Sequence, residues 1–290
     1  KASSYLLDRI SKYDFFTISR FHEIIYVVYV AMFDGNFDIA MKYALMLRDE
    51  IDDKLLDMPE LNIEWYYSIW FHVYIRFGKW DEIISEKIIE NEKLPLGKII
   101  QRYARTIAFA VKGNVTESKK ELDLFEEFKK NLPENSIMGN NKAHQVLEVG
   151  HQMALGELLY RKKDYQKGFN HLRKSVELSD NLNFSEPWDW MQPPRHALGA
   201  LLLEQDYIEE SIEVYLKDLN KFKDNIWSLV GLEECYSKLK LKFFEYKLNN
   251  IEEIDICEKL LKVNEKISRH NTESEKKIKS SCFCKKNSYC

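Results

Sequence analysis

Three clusters in this chain have residue types and spacings that could do chemistry. "HEIIY", His22 to Tyr26, is one residue short of H-E-x-x-H. In that motif two imidazoles one helical turn apart hold zinc and the glutamate serves as general base. Tyr26 stands where the second histidine is needed, so a protease site is not expected. "KAHQVLEVGHQM" places His144, Glu148 and His151 at i, i+4 and i+7. That is close to one helix face, as a metal or proton-transfer set requires, although a hydrated helix edge has the same pattern. "CFCKKNSYC" holds Cys282, Cys284 and Cys290, with His270 upstream. Structural zinc sites space paired cysteines by about two to four residues and need four ligands, so tail cysteines without a chemical role are the simpler reading. No phosphate-cradling G-x-x-x-x-G-K-[ST] or G-x-G-x-x-G occurs, and no G-x-S-x-G elbow. The expectation is no enzyme, no cofactor and no metal.

The elements that must position these residues are helical. The 290 residues include only 10 Gly and 6 Pro, few enough breakers for helix almost throughout. A 45% hydrophobic content supplies a large core or a continuous row of small ones. The net charge of −4 is no basic footprint, so nucleic acid is not an expected partner. The longest apolar run, Ile24 to Phe33, is about half the roughly 20 residues of a membrane span, so no membrane role is expected. Five cysteines, three of them at the end, are no disulfide framework and point to a cytoplasmic location. The chain begins with Lys and reads as a piece of a longer one.

One punctuation recurs. It reads "FDGNFDIA" from Phe33, "RFGKWDEI" from Arg76, "VKGNVTES" from Val111, "RKKDYQKG" from Arg161 and "LEQDYIEES" from Leu203. The turn residues are Gly35, Gly78, Gly113, Lys163 and Asp206, separated by 43, 35, 50 and 43 residues. A repeat of about 34 residues with inserted loops fits this spacing. Antiparallel helices cross closely just past such a turn. A small residue is therefore expected five positions on, at Ala40, Ile83, Ser118, Gly168 and Ser211, where only Ile83 is large. A second small site seven positions before the turn fits well only at Gly156 and Gly199. A sixth unit starts near Trp227, with a partner helix over about 251–267. Residues 1–270 are expected to form the repeat domain, and 271–290, polar and lysine-rich, a disordered tail.

"EPWDWMQPPRHALGALLL", "VYIRFGKWDEII", "RYARTIAFAVKGNVTESKKEL", "YLKDL" and "IWSLVGLEECYSKL" together resemble blocks of a group of bacterial multi-repeat tetratricopeptide (TPR) proteins. The likeness runs from about Arg20 to Leu239. It implies an all-α fold, a right-handed α-solenoid of about five to six TPR-like hairpins, and a protein-interaction role without a known reaction. "RFHEIIYVV" departs from the P-H-N-x-H-F-L of that group, because Ile25 replaces its second histidine.

The resemblance also implies a concave groove lined by the first helix of each hairpin. Counting back from the turns gives His22, Tyr29, Trp65, His72, Tyr103, Glu157, Tyr160 and His196 as groove residues. Trp190 and Arg195 join them at the rim of the Pro-rich stretch. The expected function is a scaffold that takes a peptide or partner helix in this groove. Arg102, Arg105 and Arg195 miss the positions of a chaperone-type carboxylate clamp, so a chaperone tail is not the favoured ligand. The alternative is a small-ligand, metal-binding or enzyme-like protein with a polar pocket near His22, Trp65, Arg102 and Arg195. A third reading has the groove buried against the chain's own segments, which would defeat the groove scaffold. Partner identity and oligomeric state stay open.

Overall fold

The computed structural model describes residues 13, 16–246 and 250–270, without the side chains of 243–246 and 250–254. The chain is mostly helical, with thirteen α-helices among the described residues. α1 (Phe16–Phe33) and α2 (Phe37–Glu50) form the first hairpin. After the short α3 (Asp53–Leu56) come two 3₁₀ turns, Pro59–Leu61 and Glu64–Ser68. The second hairpin is α4 (Ile69–Arg76) and α5 (Trp80–Ser85), and the third is α6 (Pro95–Val111) and α7 (Val115–Asn131). A two-stranded hairpin, β1 (Ile137–Met138) with β2 (Asn141–Lys142), precedes α8 (Ala143–Arg161) and α9 (Tyr165–Asp180). α10 (Pro194–Glu204) and α11 (Ile208–Lys221) form the fifth hairpin, and α12 (Ile226–Tyr246) and α13 (Asn250–Ile267) the sixth.

The five expected turn residues are all left-handed. Gly35, Gly78, Gly113, Lys163 and Asp206 have φ of 72°, 65°, 81°, 66° and 68°. In each turn the next N–H donates to the carbonyl five residues back. These are Asn36 to Ala31, Lys79 to Tyr74, Asn114 to Phe109, Asp164 to Leu159 and Tyr207 to Leu202, at 2.8–3.0 Å. The bond satisfies a helix-end carbonyl, which is why one left-handed residue ends the first helix of each of these five pairs. Asn36 and Asn114 then cap α2 and α7 by accepting from Ile39 N and Glu117 N.

The small residues lie where helices cross. Ser118 donates to the Thr106 carbonyl at 2.8 Å and Ser211 to the Gly199 carbonyl at 2.7 Å. A Cβ on Gly168 would sit 3.0 Å from the Gly156 carbonyl oxygen. Ile83 sits in the shortest second helix, α5, six residues long.

First helices pack on one another in series, α1 on α4, α4 on α6, α6 on α8, and α10 on α12. The series is thinnest between α8 and α10, where residues 183–193 run. One apolar core extends from Phe21 to Val214, and a second surrounds Tyr215 between α11, α12 and α13. The two ends of the described chain meet. Trp227 of α12 donates its indole N–H to the Met32 carbonyl of α1 at 2.8 Å, and the Arg76 guanidinium lies 4.6 Å from the Trp227 ring.

α1 corrects one reading of the sequence. Over its 18 residues the mean hydropathy is 1.3, so it is long and apolar enough to cross a membrane by length and composition. It carries Arg20, His22 and Glu23, and 39% of the window is buried inside the fold.

Candidate functional site

Residues 183–193 form a strap that is exposed at Asn183, Phe184 and Glu186 and buried from Asp189 onward. Its first half is held by the β1–β2 hairpin. Asn141 accepts from Asn183 N at 2.7 Å and donates to the Asn183 carbonyl at 3.0 Å, and Asn140 donates to the Phe184 carbonyl at 2.9 Å. Asp189 is buried and accepts from the Asn141 amide at 2.6 Å. Burial raises its carboxyl pKa, against the pull of Asn141, Ser185 and the Asn140 N–H. Gly139, at φ 59°, leaves the room: a Cβ there would lie 1.7 Å from the Asp189 carboxylate.

The second half of the strap is buried. Trp190 lies edge-on to His72 and Tyr103, with centroids 5.0 Å and 4.9 Å away. Its indole N–H donates to Met153 Sδ at 3.1 Å. A Cβ on Gly150 would fall 2.2 Å from the Trp190 ring, so glycine makes the slot. Gln192 accepts from the Tyr103 hydroxyl and donates to the His72 carbonyl, both at 3.1 Å. Burial drives the His72 pKa down to about 3, outweighing the upward pull of the Gln192 side chain. The imidazole therefore acts as a neutral packing ring.

These facts relocate most of the expected groove. Trp65, His72, Tyr103, Glu157, Trp190 and His196 are buried, covered by the chain's own residues. Trp65 stacks on Tyr66 at 4.2 Å. Glu157 accepts from Arg161 at 2.7 Å, and burial pushes its carboxyl up despite that guanidinium. Arg195 makes a two-pronged ion pair with Asp180. His22 is exposed and its Nε2 touches the Glu186 carbonyl of the strap. Buried in this way, these six side chains do not present a surface to a peptide. Of the residues named for the alternative polar pocket, Arg102 pairs with Glu121 at 2.9 Å, a carboxylate that Arg105 also meets at 2.7 Å.

Two neighbours of the expected residues were not foreseen. Arg76 NH1 donates to His196 Nδ1 at 3.0 Å, and His196 Nε2 meets Asp218 Oδ2 at 2.7 Å. A guanidinium only donates, so Nδ1 carries the lone pair and Nε2 the proton. His196 is accordingly neutral; burial lowers its pKa further than Asp218 raises it. Burial would raise the Asp218 pKa, but His196, Ser228 and Asn225 together hold it low. Ser228 and Asn225 donate to the same carboxylate oxygen at 2.7 Å and 3.1 Å. The result is a closed Arg–His–Asp relay that ties α4 to α10, α11 and α12. Tyr29 lies beside it with a buried hydroxyl that has no partner, and its pKa is raised by burial and by Asp218. The signal for Asp218 was in the sequence: it falls on the apolar stripe Ser211, Val214, Tyr215 of α11, where a carboxylate needs a buried partner.

The His144, Glu148 and His151 set divides. His144 bonds the Leu132 carbonyl at 3.0 Å. His151 lies 2.8 Å from Glu126 and 3.3 Å from Glu148, which also pairs with Lys129. Among the described residues no three His, Cys, Asp or Glu side chains converge as a metal set. Cys282, Cys284 and Cys290 lie outside the described residues.

An open apolar surface lies on the first hairpin. A depression of about 520 Å³ is lined by His22, Glu23, Tyr26, Val27, Val30, Ala31, Asp34, Asn36 and Ile39. Tyr26, Val27, Val30 and Ile39 are 42%, 39%, 52% and 42% exposed. Glu23 stands toward one end and Asp34 at the other. α1 is apolar around most of its circumference, which is why its sequence did not tell a buried from an exposed side. No family model matches this chain, and no curated protein or solved structure matches it either.

Proposed function

We propose that the chain is a TPR-like α-solenoid, a right-handed stack of six helical hairpins, that works as a protein-interaction scaffold and not as an enzyme. Five left-handed turns of one geometry and three close helix crossings at the expected small residues support the repeat reading. Most residues expected to line the groove are buried, so the partner binds the exposed α1–α2 face. The observation that carries this is the exposed stripe of Tyr26, Val27, Val30 and Ile39 between carboxylates. Isolated apolar side chains on a surface are ordinary, whereas a contiguous stripe rimmed by charge marks a binding site. Such a stripe suits an amphipathic helix, whose i, i+3, i+4 and i+7 residues enter the depression. With Glu23, Asp34 and Asp38 around it, the helix should carry lysine or arginine on its flanks.

The test is a titration with a synthetic amphipathic helix bearing lysine flanks, read by fluorescence anisotropy, beside the same peptide with glutamate flanks. The lysine peptide should bind at least about tenfold tighter. Val27→Glu/Val30→Glu should remove that binding without changing the helical circular dichroism. Equal affinity of the double variant and the parent would sink the α1–α2 assignment. Sedimentation of a dimer that dissociates on Val27→Glu would replace the foreign helix with a second copy.

A further inference from the structure

Each later first helix is covered by the second helix of the hairpin before it. α2 packs on α4, α5 on α6, α7 on α8, α9 on α10 and α11 on α12. Hydrogen bonds show that such neighbours run antiparallel. Ile84 and Lys87 meet Arg105 and Gln101, Glu126 and Leu132 meet His151 and His144, and Ser211 and Asp218 meet Cys235 and Ser228, at 2.7–3.3 Å. α1 is the first helix described, and among the described residues no second helix precedes it. Its exposed stripe lies at the register that such a helix covers. Tyr26 is nine positions before the left-handed turn residue and Val30 five before. Nine before the later turns stand Ile69, Ala104, Ala154 and Ala197, and five before stand Val73, Ala108, Leu158 and Leu201. All eight are at most 3% exposed, against 42% and 52% for Tyr26 and Val30. They lie about 160° around the helix from the crossing position seven before the turn, so each hairpin's own second helix is not what buries them.

A row of hairpins that ended in solvent here would need a polar face. This face carries Tyr26, Val27 and Val30, and Ile39 stands four past its turn where the later hairpins have Glu82, Glu117, Lys167 and Glu210. We infer that the partner helix docks antiparallel to α1, in the place that the second helix of a preceding hairpin would take, with cations of its C-terminal half at Glu23. The register assigns that charge. Glu23 is twelve before its turn, as His151 is before Lys163, and His151 is met by Glu126 in the C-terminal half of α7. With a carboxylate in the place of the imidazole, the partner needs a cation in the place of Glu126. A second copy of α1 does not suit the site. Laid antiparallel across Val27 and Val30, it would set Glu23 of each copy opposite Asp34 of the other. The inference rests on the α1–α2 reading of where the partner binds, and adds the direction and register of its helix.

The experiment uses the full chain and the synthetic lysine-flanked helix, carrying benzoylphenylalanine at its N-terminal or its C-terminal end. Photocrosslinks are mapped by tandem mass spectrometry. The C-terminal probe should label residues around Glu23 and the N-terminal probe residues around Asp34, each with at least about fivefold preference over the other end. Charge reversal gives a second readout. Glu23→Lys should bind the parent peptide about threefold to fivefold more weakly. A peptide with glutamates in place of its C-terminal lysines should recover that loss, and one with glutamates at its N-terminal end should not. The opposite labelling, labelling without direction, or rescue by the N-terminal glutamates overturns the inference while binding at α1–α2 stands. Absence of labelling anywhere on α1–α2 defeats the site reading, and the inference with it. A dimer of the chain that excludes the peptide, seen by sedimentation, puts a second copy on this face and overturns the foreign helix.

Discussion

Glu64 shows how a single side chain can carry two opposed demands. Its Oε1 accepts from Gly97 N at 2.9 Å, in the first turn of α6, which lacks a side-chain cap of its own. A helix N-terminus favours a carboxylate, yet burial outweighs the amides of Gly97 and Leu96 and pushes the pKa up to about 8. Glu64 is therefore protonated in the folded protein where an unfolded glutamate is already ionised. The folded state binds the extra proton between pH 4.5 and about 8. Its contribution is full below pH 4.5 and is lost as pH rises toward 8, with a slope of at most about 1.4 kcal/mol per pH unit. Urea unfolding of the parent and Glu64→Gln across that range isolates this slope from the histidines, which titrate in both proteins. The stability difference between them should decline steadily with pH, and a flat difference would show an ionised Glu64. Nothing in "NIEWYY" announces this role, because the amides it caps belong to residues over thirty positions on.

At the scale of elements, the helical hairpins were legible and the strap was not. A turn and the crossing behind it are local, set by a left-handed residue and a small one twelve positions from its partner. Lys163 and Asp206 even adopt the turn conformation without being glycine. The strap is different. Its Pro and Trp content marks a joint, but its packing depends on Gly139, Gly150, Tyr103 and His72, which come from three other parts of the chain. The same contrast predicts two alanine substitutions. At Gly113 a Cβ meets nothing within 4 Å, so only the φ of 81° is unfavourable, and the loss should be about 1 kcal/mol. At Gly168 the φ is helical, and alanine would gain about 1 kcal/mol of helix propensity in isolation. There the new Cβ lies 3.0 Å from the Gly156 carbonyl and 3.1 Å from Tyr160 N, both backbone atoms, so α8 and α9 must separate. Gly168→Ala should therefore lose about 1–3 kcal/mol in spite of its propensity. A stabilised Gly168→Ala, measured by thermal melting, would mean that the crossing is looser than its geometry indicates.

A row of hairpins that touch only their neighbours should unfold in pieces, because each interface is a local term. This molecule departs from that in one respect: its ends are joined. The Trp227 indole bonds the Met32 carbonyl across 195 residues, and the Arg76–His196–Asp218 relay binds the second hairpin to the fifth and sixth. None of this was visible in the sequence, since periodicity describes neighbours and says nothing of where distant hairpins meet. The closure converts nearest-neighbour packing into a ring of mutually dependent contacts, so unfolding of the parent should be a single transition by every probe. Trp227 is almost fully buried, and Trp227→Ala should remove about 3–5 kcal/mol of packing while leaving each hairpin intact. Opening the ring should do more than lower the midpoint. The fluorescence and circular dichroism transitions in urea should separate, the apparent m-value should fall, and the radius of gyration before unfolding should grow. A variant that stays compact and unfolds in one step with an unchanged m-value would show that the seam contributes packing energy alone and does not couple the two ends.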